Sequence, residues 1–525
     1  MNKKTIIIAL LALVAIAGRA QEPFFRTDSA VVRGHIVNYS TEMDFQSISA
    51  FVPNVFMGEN SILTAEIRQD GTFEKHLLLH YPLRSWFYTS IETEGYQQIP
   101  FYLCPGDTLD ITIRFNDGVI PDCEYSGGHA PDVARLLKVR CDVMSLYNCC
   151  RNFEGGIEAF NSFADSLYTV QVREANEQAD RLRFTPFERR LALCDLAVNW
   201  GDAYLSYFSQ IQDKMAEDNP AAPYTAGNAM MERLSQPELY PLLKRLPNAD
   251  SLMLATRFFH RYLSSLEYSS PLRYPIYAKR GTIWEGNLQN VVEQLLLNHS
   301  VGQRLFESNE DLVPIQLIQL HVVNDALGDW MDRGTIEEDF SAVKPFLNHP
   351  VVSKMAQQFY EEMLAYEPTL PLPEGAAAEF IKDILKQYPN RYIILDFWAM
   401  YCGPCKMEIR DTRNLRQQLH EREDVKFVFL ANERNPKNEA YSDFVNENLK
   451  DEANIVIDDT RLRQLQDFFG FANLPYNVTL TPDGRIVRDG LLLREFEVGY
   501  DSFIQRLEEM KATIERHRDR LFNSQ

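Results

Sequence analysis

Two cysteines separated by two residues, Cys402 and Cys405, are the side chains of this 525-residue chain best suited to chemistry. They enclose Gly403 and Pro404 and follow the apolar run Tyr392–Ala399, which predicts a strand leading into a helix. Two thiols at this spacing can close into a Cys402–Cys405 disulfide and open again. The spacing and its position therefore predict a redox centre.

The two cysteines are expected to have different roles. Only a thiolate attacks a disulfide sulfur, and Cys402 lies where the unpaired N–H groups and the dipole of the predicted helix stabilise negative charge. Pro404 is tolerated in the first helical turn because its missing N–H costs little there. We therefore expect Cys402 to be the nucleophile, and Cys405, one turn further along, to be the resolving residue.

Asp396 lies six residues before Cys402, inside the apolar strand. A carboxyl group among Ile393, Leu395 and Phe397 would be partly desolvated, which raises its pKa and suits a proton acceptor for Cys405. The alternative is a hydrated carboxylate at the sheet edge. The catalytic set predicted from the residues is thus Cys402, Cys405 and Asp396.

A proline after Leu474 is the other feature that could serve the site. A cis bond at Pro475 would turn the Leu474 backbone towards the cysteine pair, where it could bind an extended substrate. Cis bonds are rare for X–Pro, about 5–6% in folded proteins. Local sequence alone therefore predicts an ordinary turn proline at Pro475.

The rest of the chain predicts a multidomain protein that combines α+β and α/β folds. Short alternating strands with turn residues predict a β-rich, sandwich-like domain over 29–118, and helical apolar spacing predicts an irregular helical region over 125–365. Three prolines predict a linker over 366–375. Strands then alternate with helices over 376–525, with a long helix from 402 to 420 and a closing hairpin and helix.

The N-terminus predicts export. Two lysines, an apolar run and small residues before Gln21 predict a cleavable signal peptide over 1–20. An uncleaved signal anchor is the alternative, and no later stretch is apolar and long enough to cross a membrane. We therefore place the mature chain in the periplasm or cell envelope, without a membrane span.

Net charge and cysteine content bear on the possible partners and disulfides of the chain. The formal charge of −21 disfavours nucleic acid as a partner. Export permits disulfides, but sequence does not determine the pairing of the six remaining cysteines, Cys104, Cys123, Cys141, Cys149, Cys150 and Cys194.

Other chemistries find no support. A zinc site needs about four ligands, whereas Cys402 and Cys405 supply two and His420 lies too far along the helix. Phosphate-loop, dinucleotide, metalloprotease and serine-hydrolase motifs are missing from the sequence. We therefore expect neither a metal nor a cofactor.

A family resemblance adds to these predictions. Residues 396–406 resemble the thioredoxin active-site segment, 470–475 resemble that family's cis-proline loop, and the extra helix and strand at 438–458 resemble the insertion of TlpA/ResA-like envelope oxidoreductases. The resemblance covers roughly 368–520. It implies a thioredoxin fold, a central mixed sheet flanked by helices, with cis Pro475, and it favours the Asp396 role.

The same resemblance indicates a substrate-binding surface. We expect it to include Trp398, Tyr401, Gly403, Pro404, Leu474 and Pro475. Tyr401 and Met400 depart from the usual thioredoxin residues and bear on substrate preference. Glu433 could correspond to a glutamate of the TlpA/ResA-like proteins, but it is displaced, so an exposed and solvated side chain is the favoured interpretation.

The predicted function is an exported thiol-disulfide oxidoreductase. The Gly-Pro dipeptide resembles thioredoxin, whose potential is about −270 mV, so we expect a reductase of envelope protein disulfides, apocytochrome thiols included. A membrane electron donor of the DsbD/CcdA type would supply this reductase with electrons. The alternative is an envelope binding or adaptor protein whose N-terminal two-thirds docks a partner and carries an accessory redox module.

Overall fold

The computed structural model describes residues 26–43, 45–89, 97–116, 118–139, 143–218, 227–280, 287–309, 312–329, 335–365, 367–433, 435, 438–488, 490–492 and 499–523. The predicted signal peptide, 1–20, lies outside these residues, as does Cys141. The described residues up to 59 and from 65 to 364 form one compact unit, and residues 60–64 with those from 365 onward form another. The chain is mixed α+β, with sheets and many helices.

The strands between residues 28 and 126 form two four-stranded sheets, ordered β4-β1-β7-β8 and β3-β2-β5-β6. Their bounds are β1 Asp28–Ile36, β2 Ser47–Asn54, β3 Glu59–Glu66, β4 Thr72–Leu79, β5 Leu83–Tyr88, β6 Gln98–Leu103, β7 Thr108–Arg114 and β8 Asp122–Ser126. The β structure thus continues past residue 118, the predicted end of the β-rich domain, because β8 pairs with β7.

Alternating side chains fill the space between these two sheets. Phe73 of β4 contacts Phe87 of β5 with ring centroids 5.9 Å apart, and Phe87 stacks on Phe101 of β6 at 4.7 Å. Gly34 of β1 is required beside them, because a Cβ there would overlap the Phe73 ring. The period-two pattern therefore directs one face of each sheet into a shared apolar core.

Helices follow from residue 130 to residue 364. They are α1 Ala134–Leu137, α2 Val143–Arg151, α3 Ile157–Arg181, α4 Pro186–Asp218, α5 Ala229–Leu234, α6 Phe259–Glu267, α7 Ser270–Arg280, α8 Leu288–Phe306, α9 Val313–Asp329, α10 Ile336–Val343 and α11 Pro350–Leu364. Short 3-10 helices lie at Ala130–Val133, Pro237–Leu239, Pro241–Arg245, Ser251–Ala255 and Lys344–Phe346.

The longest helix, α4, begins with a capping box. The Glu188 N–H donates to Thr185 Oγ1 (3.1 Å), and the Thr185 N–H donates to Glu188 Oε2 (2.8 Å). Pro186 occupies the first helical position, where no N–H is needed. Beyond this start, Trp200 and Tyr204 are fully buried in the helical core, so tertiary packing adds to the local signals.

The second unit is built on a six-stranded sheet ordered β12-β11-β10-β13-β14-β9. Its strands are β9 Thr369–Leu370, β10 Tyr392–Ala399, β11 Val425–Asn432, β12 Ala453–Ile457, β13 Tyr476–Leu480 and β14 Ile486–Val487. Its helices are α12 Ala376–Gln387, α13 Gly403–Asp411, α14 Arg413–Leu419, α15 Glu439–Asn448, α16 Asp459–Phe469 and α17 Tyr500–Asn523. Strands β10, β11 and β12 are parallel, and β13 runs antiparallel to β10.

Two features of this unit differ from the sequence-based expectations. The predicted linker, 366–375, contains β9, which pairs with β14 and so belongs to the sheet. The helix predicted over 402–420 is divided into α13 and α14 at Thr412. Thr412 Oγ1 donates to the Glu408 carbonyl at 2.6 Å, a side-chain bond that competes with regular helix and bends it.

Strand β10 leads into the cysteine pair, and both of its faces are covered by other elements. Ile393, Leu395 and Phe397 pack into one apolar core, whereas Ile394 and Trp398 pack into the other core, together with Cys402, Cys405 and Ile409. Because side chains alternate along a strand, Asp396 lies on the face that holds the two cysteines. The strand is apolar almost throughout because it is buried on both sides.

Candidate active site

Cys402 caps the N-terminus of α13, as the sequence predicts. Its φ and ψ of −83° and 99° are extended, and its Sγ accepts a hydrogen bond from the Cys405 N–H (3.2 Å). Gly403 begins the helix, and Pro404 lies in its first turn. This geometry directs the Cys405 N–H at the helix start towards the sulfur, where it would stabilise a thiolate.

Cys402 and Cys405 form a disulfide in the structure, with their Cα atoms 5.4 Å apart. Cys402 is 7% exposed and Cys405 is 1% exposed, so Cys402 is the more accessible residue of the pair. An attacking or departing thiol would therefore meet Cys402 first. This asymmetry matches the roles of nucleophile and resolving residue that we expect for the pair.

Asp396 is 1% exposed, and its Oδ1 accepts no hydrogen bond from the described residues. Burial raises its pKa to about 8, and the negative charge of Glu408 adds to this rise. The positive charge of Arg416 and the polar side chain of Asn477 oppose this rise. The alternative of a hydrated carboxylate at the sheet edge is therefore wrong, because Asp396 lies within β10 between two neighbouring strands.

Two charged residues near Asp396 were missed by sequence reasoning. Glu408 follows Cys405 by three residues, so helical spacing puts both on one side of α13 and could have identified it. Arg416 of α14 is 1% exposed, and its guanidinium donates to the carbonyls of Ile409 (2.9 Å) and Asn448 (3.0 Å). Sequence gives no comparable signal for Arg416, which resembles an ordinary surface cation.

The Leu474–Pro475 bond is cis, as predicted. The loop follows α16, which ends at Gly470 with a positive φ of 75°, and Phe471 stacks on Tyr476 at 4.2 Å to close it. Leu474 and Pro475 are half-buried, and Leu474 packs against both apolar cores of the unit. The loop thus leaves part of its surface exposed.

The rim beside the disulfide is exposed and partly apolar. Tyr401 is 70% exposed, with its hydroxyl 3.3 Å from Asn432 Oδ1, and Gly403 and Pro404 are also exposed. Met407, one turn after Gly403, is 60% exposed and joins this rim, although the sequence analysis did not single it out. Such a surface suits contact with an apolar segment of another protein.

Trp398 is a correction to the predicted substrate-binding set. Its side chain is fully buried, stacks on Tyr441 with centroids 5.8 Å apart, and donates from Nε1 to Asn454 Oδ1 (3.2 Å). It therefore supports the site from inside the core and does not contact substrate. Glu433 is half-buried and accepts the Asn435 N–H (2.9 Å), which holds a local turn.

The remaining cysteines do not contribute a second disulfide among the described residues. Free thiols are carried by Cys104, Cys123, Cys149, Cys150 and Cys194. Cys141 lies outside the described residues. In the described part of the chain, no helix combines the length and the apolar character needed to cross a membrane.

Comparison with known proteins identifies the family of one domain. The family model described as Thioredoxin-like matches residues 390–486. No curated protein matches the chain.

Three solved structures illustrate the similarity. A thiol:disulfide interchange protein from Bacteroides sp. is 14% identical over 20% of this chain and 66% of its own, just under two thirds, with a TM-score of 0.18. A thioredoxin domain of a Bacteroides vulgatus thiol-disulfide oxidoreductase is 15% identical over 23% of this chain and 82% of its own, with a TM-score of 0.20. A secreted Mycobacterium tuberculosis disulfide oxidoreductase is 16% identical over 22% of this chain and 85% of its own, with a TM-score of 0.18. The family match, which includes the cysteine pair, shows that the C-terminal part of this chain is a thioredoxin-like domain.

Proposed function

We propose that this protein is an exported thiol-disulfide oxidoreductase that reduces disulfides of envelope proteins. One observation carries the proposal: Cys402, the more exposed residue of a closed Cys402–Cys405 disulfide, caps a helix on the sheet face that also holds buried Asp396. The domain would belong to the TlpA/ResA-like group. Residues 1–20 would be the signal peptide that directs the chain to the periplasm or cell envelope.

The proposed cycle transfers two electrons from the reduced pair to a substrate disulfide. The Cys402 thiolate attacks one substrate sulfur, forms a mixed disulfide and releases the other substrate sulfur as a thiolate that takes up a proton. The Cys405 thiol then loses its proton to Asp396, attacks Cys402 Sγ and releases the second substrate thiol. The protein ends with the Cys402–Cys405 disulfide, and the substrate ends as a dithiol.

A substrate would lie along the exposed rim. Tyr401, Gly403 and Pro404 would contact it on one side of the disulfide, and the backbone of Leu474 before Pro475 would hydrogen-bond it as an extended strand. The half-buried state of the loop and the exposure of the rim support this surface.

The direction of electron flow follows from the dipeptide between the cysteines. Gly-Pro resembles thioredoxin, with a potential of about −270 mV, which favours reduction of substrate disulfides, those between apocytochrome thiols included. In an oxidising envelope, the pair would need electrons from a membrane donor of the DsbD/CcdA type. The first test is the redox potential with an insulin-reduction assay. A potential of about −120 mV with poor insulin reduction would contradict the reductase and indicate an oxidase or isomerase.

The first unit would present the substrate or a partner. Its two sheets share an apolar core through Phe73 and Phe87, which supports a β-sandwich-like domain from β1 to the end of β8, followed by the helical region. The redox domain would begin near 376, with β9 as an edge strand contributed from the preceding segment.

Trapping separates the enzyme from a docking protein. Cys405→Ala should retain substrates as mixed disulfides through Cys402, because the resolving thiol is missing. A Cys402→Ala/Cys405→Ala double variant is the matched control and should release them. Partners retained equally by both variants would contradict the redox mechanism and support an adaptor whose first unit binds the partner.

A further inference from the structure

A cluster of three potential metal ligands lies in the first unit, apart from the cysteine pair. Cys104, Asp107 and His129 each present one ligand atom, and these atoms all lie within 4.8 Å of one another. Cys104 is half-buried, Asp107 is buried and the His129 side chain is 61% exposed. We propose that Cys104, Asp107 and His129 bind a divalent transition-metal ion of the Zn²⁺ type, with one coordination position open to solvent.

The turn between β6 and β7 brings two of the ligands together. The Asp107 N–H donates to the Cys104 carbonyl (3.0 Å), and Gly106 supplies the positive φ of 85° that this turn needs. Asp107 Oδ2 in turn accepts the Cys104 N–H (3.0 Å). The backbone therefore fixes Cys104 and Asp107 on one tight turn.

Two glycines bring His129 to the same place. Gly127 and Gly128 have positive φ values of 71° and 55°, and a Cβ on Gly128 would lie 2.8 Å from Asp107 Oδ2. This close approach lets the His129 N–H donate to Asp107 Oδ2 (3.1 Å) and puts Nδ1 2.9 Å from Oδ1. The histidine is thus held against the carboxylate by backbone and ring together.

The ligand types favour Zn²⁺ over the hard cations. Zn²⁺ accepts thiolate, imidazole and carboxylate, whereas Ca²⁺ and Mg²⁺ require oxygen ligands. Three protein ligands with one open position are typical of zinc sites that keep a water or an exogenous ligand. On binding, the Cys104 thiol would form the S–metal bond and release its proton to solvent.

The charge around the cluster is compatible with a cation. Asp132 lies in the short helix that follows His129 and adds a negative charge close by in the chain. The nearest basic residue on the turn, Arg26, donates from Nη2 to the Pro105 carbonyl (3.0 Å) and is paired with Asp28 at 3.2 Å. Its charge is therefore balanced by a carboxylate of its own.

The alternative is that the His129–Asp107 hydrogen bond only holds the loop. In that case Cys104 would not bind a metal, and its replacement would leave metal binding by the chain unchanged. A thiol-imidazole-carboxylate nucleophile would also use these three residues, but it would not depend on a metal. Both alternatives can be separated from the metal site by experiment.

The test titrates the oxidised chain with Co²⁺ and Zn²⁺, so that Cys402 and Cys405 stay in their disulfide and cannot bind metal. We expect one ion per chain and a thiolate-to-cobalt absorption band. Cys104→Ser should abolish the band, and His129→Ala should weaken binding by more than about tenfold. Cys149→Ser, which removes an exposed thiol outside the cluster, is the matched control and should change neither.

A second measurement needs no variant, in case the substitutions disturb the turn. Zn²⁺ should slow alkylation of Cys104 in the wild-type chain, followed by mass spectrometry of the Cys104 peptide, and should leave Cys149 as reactive as before. No cobalt band in the wild type, or a band that survives in both Cys104→Ser and His129→Ala, would overturn the proposal. Cys104 alkylation that Zn²⁺ does not slow would overturn it equally.

Discussion

Asp396 and Asn477 lie directly opposite each other on β10 and β13, the antiparallel pair at the centre of the C-terminal sheet. Burial of Asp396 outweighs the opposing influence of the Asn477 side chain and raises the pKa of Asp396 to about 8. The folded chain therefore binds this proton more tightly than the unfolded chain does. A residue suited to proton transfer is, for the same reason, a cost to stability at neutral and alkaline pH.

The first prediction concerns stability. Because the folded pKa of Asp396 is raised, its contribution to the free energy of unfolding falls as pH rises from the unfolded value near 3.8 to about 8. Between pH 5 and 8 the wild type should lose about 2–4 kcal/mol that Asp396→Asn does not lose. Urea unfolding of the oxidised chains measures this. Exposed Asp443→Asn should keep the wild-type decline, and parallel curves for wild type and Asp396→Asn would contradict the buried carboxyl.

The second prediction concerns the resolving step. If Asp396 accepts the proton of Cys405, the single-turnover rate should rise with pH through a midpoint near 8 and level off above it. In Asp396→Asn this inflection should disappear, and the rate at pH 8 should fall by about 10²-fold. Stopped-flow reduction of a model disulfide measures both. If the pH profile of Asp396→Asn matches that of the wild type, solvent accepts the Cys405 proton and Asp396 does not.

The local features of the site were predictable from sequence. Cys402 as helix cap follows from an apolar strand, a cysteine and a proline in consecutive order, and the adjacent turns need few distant contacts. The strand and helix order of the C-terminal unit follows from the alternation of period-two and period-3.6 patterns. The cis bond at Pro475 required the family resemblance, because local sequence alone predicts an ordinary turn proline.

The features that sequence could not supply depend on distant partners. Thr369 and Leu370 follow a proline and look like linker until β14, more than a hundred residues later, pairs with them. Trp398 looks like a rim residue beside the cysteines, but Tyr441 and Asn454 hold it in the core. Only the folded chain shows these contacts.

The third prediction concerns Arg416, whose charge is buried beside Glu452. Their closest atoms are 3.2 Å apart, and the side chains are 1% and 4% exposed. Arg416→Met leaves Glu452 and two helix-end carbonyls without this donor, so we expect a loss of about 3–5 kcal/mol in the free energy of unfolding. Arg410→Met, on the exposed side of α13, should change it by less than about 0.5 kcal/mol.

A double variant separates the ion pair from the packing of Arg416. Arg416→Met/Glu452→Met removes both charges, so it should recover part of the loss seen in Arg416→Met. His420 and Lys426 also contact Glu452, at 3.0 and 3.8 Å, and would lose that partner. A double variant as unstable as the sum of the two single variants would show that the pair itself is not the source of the loss.

The fourth prediction concerns His321 in the first unit, both of whose ring nitrogens face acceptors. Nδ1 lies 2.8 Å from Glu267 Oε2, and Nε2 lies 2.8 Å from the Val55 carbonyl. Two acceptors require two N–H donors, which only the charged imidazolium has. Burial opposes this charge, but Glu267, the Val55 carbonyl and Asp325 outweigh it and raise the His321 pKa. Arg273, 2.8 Å from the other Glu267 oxygen, is the cation that shares this carboxylate.

The sign of the pH effect follows from the raised pKa. His321 stabilises the fold fully below its unfolded pKa of about 6.5, and this contribution is lost as pH rises through the folded pKa. His321→Gln should therefore cost about 1–3 kcal/mol at pH 6 and less at pH 9, as measured by urea unfolding. His260 provides the control with the opposite sign, because burial, with Arg261 and Arg257, lowers its pKa to about 4. His260→Gln should relieve a loss of stability on acidification, and a His321→Gln cost that does not diminish between pH 6 and 9 would mean that the ring is neutral in the folded chain.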